Sequence, residues 1–174
     1  MSAFIALGLP EALLLAVFTA LMVAAGIQDA LTMKISNKIS ILLIAGFVLL
    51  AAVTSMSPVE IGVRAASMLA IFAILLVLHH HNLMGGGDVK LMSAGSLWFQ
   101  APEALVLYIG LTSIFGGVVT LVLQFMRTMP MPLFVYRLDA FGRWQKNSRY
   151  VPYGIGIALG AITTQYLLLT PIMR

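Results

Sequence analysis

The sequence contains no cysteine, which excludes disulfides and any thiolate metal site such as a zinc ribbon. Charge is nearly as scarce. Only 9% of the 174 residues are Asp, Glu, Lys or Arg, against 61% hydrophobic. A soluble domain covers its surface with roughly 25% charged residues. With a mean hydropathy of +1.03, this chain must turn its outer surface to lipid. Nucleophile motifs are missing too: there is no G-x-S-x-G elbow, and the histidines form one tract, His79-His80-His81. The P-loop pattern G-x-x-x-x-G-K-[ST] is also absent. No basic segment opens the chain, and Glu11 precedes the apolar run from Ala12 to Ala25. That run is therefore expected to persist as a helix rather than to act as a cleaved signal.

What is present is a series of apolar runs, and they predict an all-α, polytopic membrane bundle of about six transmembrane helices in a single domain, 1–174. The expected segments are Pro10 to Gln28, Ile39 to Ser55, Glu60 to Leu78, a fourth from near Asp88 to Gln100, Glu103 to Met126, and Val151 to Leu169. Pro10 suits a first helical turn, where its missing N–H costs nothing. The fourth segment is short. From Val89 to Gln100 a helix extends only about 18 Å at ~1.5 Å per residue, against a hydrocarbon core of about 30 Å. Either that helix is short, or the preceding glycine turn lies within the membrane, where irregular backbone is tolerated only against protein or a water-filled cavity.

The net charge is +4 and the pI about 9.7, but the basic residues fall mainly in two segments, so they indicate topology and not a nucleic-acid partner. Lys34 and Lys38 lie between the first two segments. Arg127, Arg137, Arg143, Lys146 and Arg149 lie between or beside the last two. Basic loops stay in the cytoplasm, which puts both termini outside it. Glu60 and Glu103 fall on the opposite side, with Arg64 the main exception.

The chain has three aspartates: Asp29, Asp88 and Asp139. Asp139 sits in the basic loop and reads as a surface group. Asp29 ends the first helix, where a carboxylate opposes the helix dipole. Taken alone it reads as an interfacial residue pairing with Lys34 or Lys38. Asp88 follows Gly85-Gly86-Gly87 and taken alone reads as an N-cap after a tight glycine turn. Together the two gain a different meaning, because both fall at the cytoplasmic face and ionisable groups at the edge of hydrocarbon are usually functional. Two carboxylates sharing a water cannot both ionise easily. The ionised one can draw a proton from water while the protonated one polarises a peptide carbonyl and helps the amine leave. Residues 85–87, lacking side chains, let a substrate backbone approach closely. Lys90 either snorkels to the headgroups or biases one carboxylate toward ionisation. The histidine tract reads as a polar interfacial turn, because three consecutive residues on a helix point in different directions. Gly156 and Gly160 form a small-xxx-small pair for close helix packing. The segment from Thr128 to Tyr150, basic and aromatic, is expected to form an interfacial helix that contacts anionic lipid or a substrate.

Three blocks resemble the type IV prepilin peptidases, a class of membrane aspartic proteases with a G-x-G-D motif. Gly85-Gly86-Gly87-Asp88, continuing through Val89, Lys90 and Leu91, matches that motif. Asp29, with Ile35-Ser36-Asn37 downstream, is similar to the first-aspartate block, where Ser36 replaces the usual proline. Val151-Pro152-Tyr153-Gly154 resembles a third block near the last helix. The resemblance implies that Asp29 and Asp88 are catalytic, that Lys90 and Asn37 support them, and that no cofactor or metal takes part. It implies cleavage of a leader peptide from pilin or pilin-like precursors at the cytoplasmic face of the bacterial inner membrane, after a glycine that precedes the precursor's hydrophobic segment. The chain is similar to the small branch without a methylating domain, associated with tight-adherence (Flp) pili; archaeal preflagellin peptidases share the architecture. Two other classes remain open on the residues alone: a small cation or proton transporter using the same acids, and a scaffold in which both acids are structural.

Overall fold

The computed structural model describes residues 8–99, 101–128 and 151–169. Every regular element among them is helical: α1 (Leu9–Thr32), α2 (Asn37–Val53), α3 (Pro58–His80), α4 (Gly86–Ser96), α5 (Pro102–Thr128) and α6 (Gly154–Leu169). The all-α membrane bundle is thus as expected from the sequence. The number of full-length spans is not. Among the described residues, only α1, α3 and α5, with 24, 23 and 27 residues, are long and apolar enough to cross a membrane. The helices α2 and α6 are apolar but have 17 and 16 residues, and α4 has 11. At ~1.5 Å per residue, α4 reaches only about 16 Å. The apolar runs over-counted because they continue through residues that the fold spends on turns, such as Thr54 and Ser55 after α2 and Val151 to Tyr153 before α6.

Local chemistry fixes the helix ends. Pro58 opens α3 behind Ser57, whose hydroxyl accepts the Glu60 N–H at 3.2 Å while the Glu60 carboxylate accepts the Ser57 N–H at 3.3 Å. This reciprocal cap satisfies two donors that have no partner inside the helix. Glu11 does the same for the Gly8 N–H, at 3.2 Å, beside Pro10 in the first turn of α1. The Ser36 hydroxyl starts α2 by accepting the Lys38 N–H at 3.3 Å. The first helix closes on Met33 in the left-handed region, φ 54°, its N–H bonded to the Asp29 carbonyl at 2.8 Å.

The short helix α4 lies at the centre, packed against α2, α3 and α6. Asp88, Val89 and every residue from Leu91 to Ser96 are buried. It faces protein rather than lipid, which is why it tolerates Ser93, Gly95 and Ser96. Below its C-terminus an aromatic cluster takes up part of the space that a full-length helix would occupy. Phe18 stacks on Trp98 with ring centroids 4.8 Å apart, and Phe99 lies 4.8 Å from Tyr108. The Trp98 indole N–H donates to the Leu43 carbonyl at 3.1 Å, tying the cluster to α2.

The helices α5 and α6 approach so closely that side chains are excluded. A Cβ on Gly156 would lie 2.6 Å from the Gly116 Cα, and one on Gly160 would lie 2.8 Å from the Thr112 Cα. The small-residue pair read in the sequence is therefore a helix contact. The segment 129–150, with Asp139, Arg137, Arg143, Lys146 and Arg149, lies outside the described residues. So do both chain ends, on which the expected location of the termini bears.

Candidate active site

The C-terminal ends of α1, α3 and α5 and the N-terminal ends of α2, α4 and α6 gather at one end of the bundle. Asp29 occupies the last turn of α1 and is buried. A carboxylate there is disfavoured by the helix's own dipole, so it needs a donor from elsewhere. The donor is the backbone N–H of Gly154, the first residue of α6, at 2.7 Å from Oδ2. The expected pairing with Lys34 or Lys38 gives way to this bond. Both lysines are exposed, whereas the carboxylate turns inward to the opposing helix N-terminus. Gly154 serves by having no side chain: a Cβ would sit 2.8 Å from Asp29 Oδ2, 2.9 Å from Asp29 Cβ and 3.0 Å from Ile35 Cδ1.

Asp88, which taken alone reads as an N-cap, does not hold that position. It is instead the third residue of α4, and Gly85 holds the cap position with φ −70° and ψ 142°. The Gly85 N–H bonds back to the Asp88 carboxylate, the same reach that an acidic third residue makes in a capping box. The other oxygen, Oδ1, is buried and has no hydrogen-bond partner among the described residues. Of the two readings of the glycines, the left-handed turn does not hold. None has a positive φ; the left-handed residue of the turn is Asn82, φ 58°. Their value is close approach. A Cβ on Gly85 would lie 2.7 Å from Asp88 Oδ2, one on Gly86 3.4 Å from His79 Cε1, and one on Gly87 3.1 Å from Ile35 Cβ.

The two acids, 59 positions apart by their numbers, thus reach the same end of the bundle, near enough for their charges to interact. Ile35 packs against both Gly87 and Gly154, the glycines next in sequence or space to the two acids. Lys90 and Asn37 also meet: Lys90 Nζ donates to Asn37 Oδ1 at 3.0 Å on the exposed rim. The lysine therefore ties the start of α4 to the start of α2.

A cavity of about 550 Å³ opens beside Asp88, walled by Gly85, Gly86, His79, Thr120 and Tyr153. Sequence reasoning missed three of the residues that shape this end. Gln28 accepts the Ser36 N–H at 3.0 Å and braces the α1–α2 turn; nothing in its surroundings signals that. His79 Nδ1 lies 2.9 Å from the Met84 carbonyl, so the ring donates there and holds the glycine turn. Tyr153 packs on Gly116 and faces the cavity. Its only sequence signal is its place in the Val151-Pro152-Tyr153-Gly154 block.

Residues 16–121 match the model of the type IV leader peptidase family. The chain belongs to that family. No curated protein and no solved structure matches it. The matched span runs from α1 into α5 and includes both buried acids of this leader peptidase family member. It stops before α6, whose first N–H holds Asp29.

Proposed function

We propose that this protein is a membrane aspartic endopeptidase that removes the leader peptide from type IV, Flp-like prepilins and pilin-like precursors, with Asp29 and Asp88 as its catalytic pair. The observation that carries this reading is two buried acids from different helices, close enough for their charges to interact, one of them, Asp88, lining a cavity walled by Gly85 and Gly86. A water between the carboxylates loses a proton to one of them and attacks the scissile carbonyl. The other, protonated, polarises that carbonyl and then passes a proton to the departing amine. Gly85 and Gly86 leave room for an extended substrate backbone. Lys90 and Asn37 hold the rim, and no cofactor or metal enters the reaction.

Charge supports a cytoplasmic site. Lys34, Lys38 and Arg127 stand at the same end as the acids, while Glu11, Glu60 and Glu103 lie in the first turns of α1, α3 and α5 at the other. Basic loops remain in the cytoplasm, so both termini lie outside it and the peptidase works at the inner face of a bacterial inner membrane. There a pilin precursor, tethered by its own hydrophobic segment, presents its cleavage site at the depth of the cavity. The whole of 1–174 acts as one peptidase domain.

The test is purified protein in lipid, incubated with a prepilin, with the product's N-terminus sequenced. Asp29→Asn and Asp88→Asn should each reduce cleavage by a factor of ~10²–10⁴ while leaving the helical circular dichroism unchanged. Normal cleavage by either variant removes that residue from the pair. Ion flux in place of cleavage would favour transport.

A further inference from the structure

The end of the bundle farthest from the two acids holds a second cavity of about 420 Å³. It lies beyond the end of α4, which stops after 11 residues, so that among the described residues no helix continues into this space. Most of its wall is apolar, with Phe18, Leu50 and Leu168 among the lining residues. Arg64 of α3 also lines it and is only 6% exposed. An arginine at that depth is costly unless it is paired, and by default it marks a functional site. Its hydrogen bonding is incomplete. One terminal nitrogen reaches the Leu97 carbonyl at 3.4 Å, the guanidinium stands 5.7 Å from the Phe47 ring centroid, and Nε is buried without a partner.

Of the carboxylates at this end, two bear on the cavity. Glu60, one turn before Arg64, interacts with it electrostatically and is also committed to capping Ser57. Glu11 lines the cavity itself, with Oε2 on the Gly8 N–H. One cation, Arg64, and one carboxylate, Glu11, on the wall of an apolar space do not suit a purely anionic ligand. They suit a zwitterion carrying a phosphate, a primary ammonium and a hydrocarbon tail. We propose that this cavity binds one molecule of phosphatidylethanolamine from the outer leaflet. Its phosphate sits on Arg64, which can offer a planar fork of donors. Its ammonium donates to Glu11, and an acyl chain occupies the space below the end of α4. A cavity of this size falls in the range of about 300–1,000 Å³ typical of ligand sites.

The proposal is tested by native mass spectrometry of the detergent-purified full chain, titrated separately with phosphatidylethanolamine, phosphatidylglycerol and phosphatidylcholine. The wild type should retain phosphatidylethanolamine in preference to the other two. Arg64→Gln should weaken that binding about tenfold or more, the expected loss of a charge-assisted hydrogen bond. Glu11→Gln should abolish the preference for phosphatidylethanolamine over phosphatidylglycerol. If Arg64→Gln does not fold, Ala101→Phe serves instead. It places a ring at an exposed rim position of the cavity and should block binding by bulk alone. Equal retention of the three lipids by the wild type, no retention at all, or unchanged phosphatidylethanolamine binding in a folded Arg64→Gln or Ala101→Phe variant would overturn the assignment.

Discussion

Gly154→Ala perturbs the bond between α6 and Asp29 without replacing either acid. The added Cβ would lie 2.8 Å from Asp29 Oδ2, 2.9 Å from its Cβ and 3.0 Å from Ile35 Cδ1. Carbon atoms pack best at about 3.5–4.0 Å, so the aspartate side chain must retreat by roughly half an ångström or more. Two of the three crowded atoms belong to Asp29 itself. Its retreat therefore stretches the Gly154 N–H bond from 2.7 Å past the roughly 3.2 Å limit for a good N–H···O bond. A hydrogen bond to a charged group is worth about 1.5–3 kcal/mol. If that support is needed in the transition state, kcat/KM should fall about 10- to 150-fold. Folding should suffer less, because alanine is the better helix former by ~1 kcal/mol. Prepilin cleavage by lipid-embedded protein, compared with a thermal melt, reads both. Gly117→Ala is the control, since its Cβ meets nothing within 4 Å, and its kcat/KM should stay within about twofold of wild type, as expected for an uncrowded site. Wild-type kcat/KM in Gly154→Ala would refute the argument that α6 positions Asp29.

Two further variants probe the scaffold. Gly160→Ala should destabilise the bundle by about 1–3 kcal/mol, the usual cost of overpacking, because the new Cβ meets the Thr112 backbone N at 2.6 Å and Cα at 2.8 Å and a backbone cannot swing aside. A melting temperature equal to wild type would mean that α5 and α6 separate at little cost. Lys90→Met and Asn37→Ala, alone and combined, form a double-mutant cycle on the 3.0 Å rim bond. Being solvent-exposed, the pair should show a coupling of about 1 kcal/mol or less, measured on cleavage rates. Strictly additive effects would show that the bond does not join α2 to α4 in the working protein.

The positions of the helices were legible because apolar runs and caps such as Ser57-Pro58 with Glu60 are local signals. Which of the helices cross the membrane was not, since hydropathy does not distinguish a surface that faces lipid from one that faces protein. The helix α4 shows the difference. Its serines and Gly95 would be poor lipid contacts, yet all are buried among neighbouring helices. The candidate acids could be picked from the sequence because so few acids exist and two of them fall at one face. Their environment could not. Asp29 is held by a main-chain N–H 125 residues away, and a main-chain donor leaves no mark in the residue type except the small side chain that permits its approach. Gly85 to Gly87 were recognised as special, but a glycine needed for a left-handed turn looks the same in sequence as one needed for contact, and here only contact applies.

The dipoles of the helices explain why the last one matters to a site whose acids lie in the first and the fourth. Asp88 sits in the first turn of α4, where its own helix's N-terminus favours negative charge. Asp29 sits in the last turn of α1, where its own helix disfavours it. That asymmetry requires a second N-terminus to be brought to Asp29, and α6 supplies one through Gly154. The close contact of α5 with α6 at Gly156 and Gly160 sets the height at which that N-terminus stands. The glycines of the last helix and the buried acid of the first are then parts of one arrangement. A shift of α6 along α5 would disable Asp29 even with every residue around Asp88 intact.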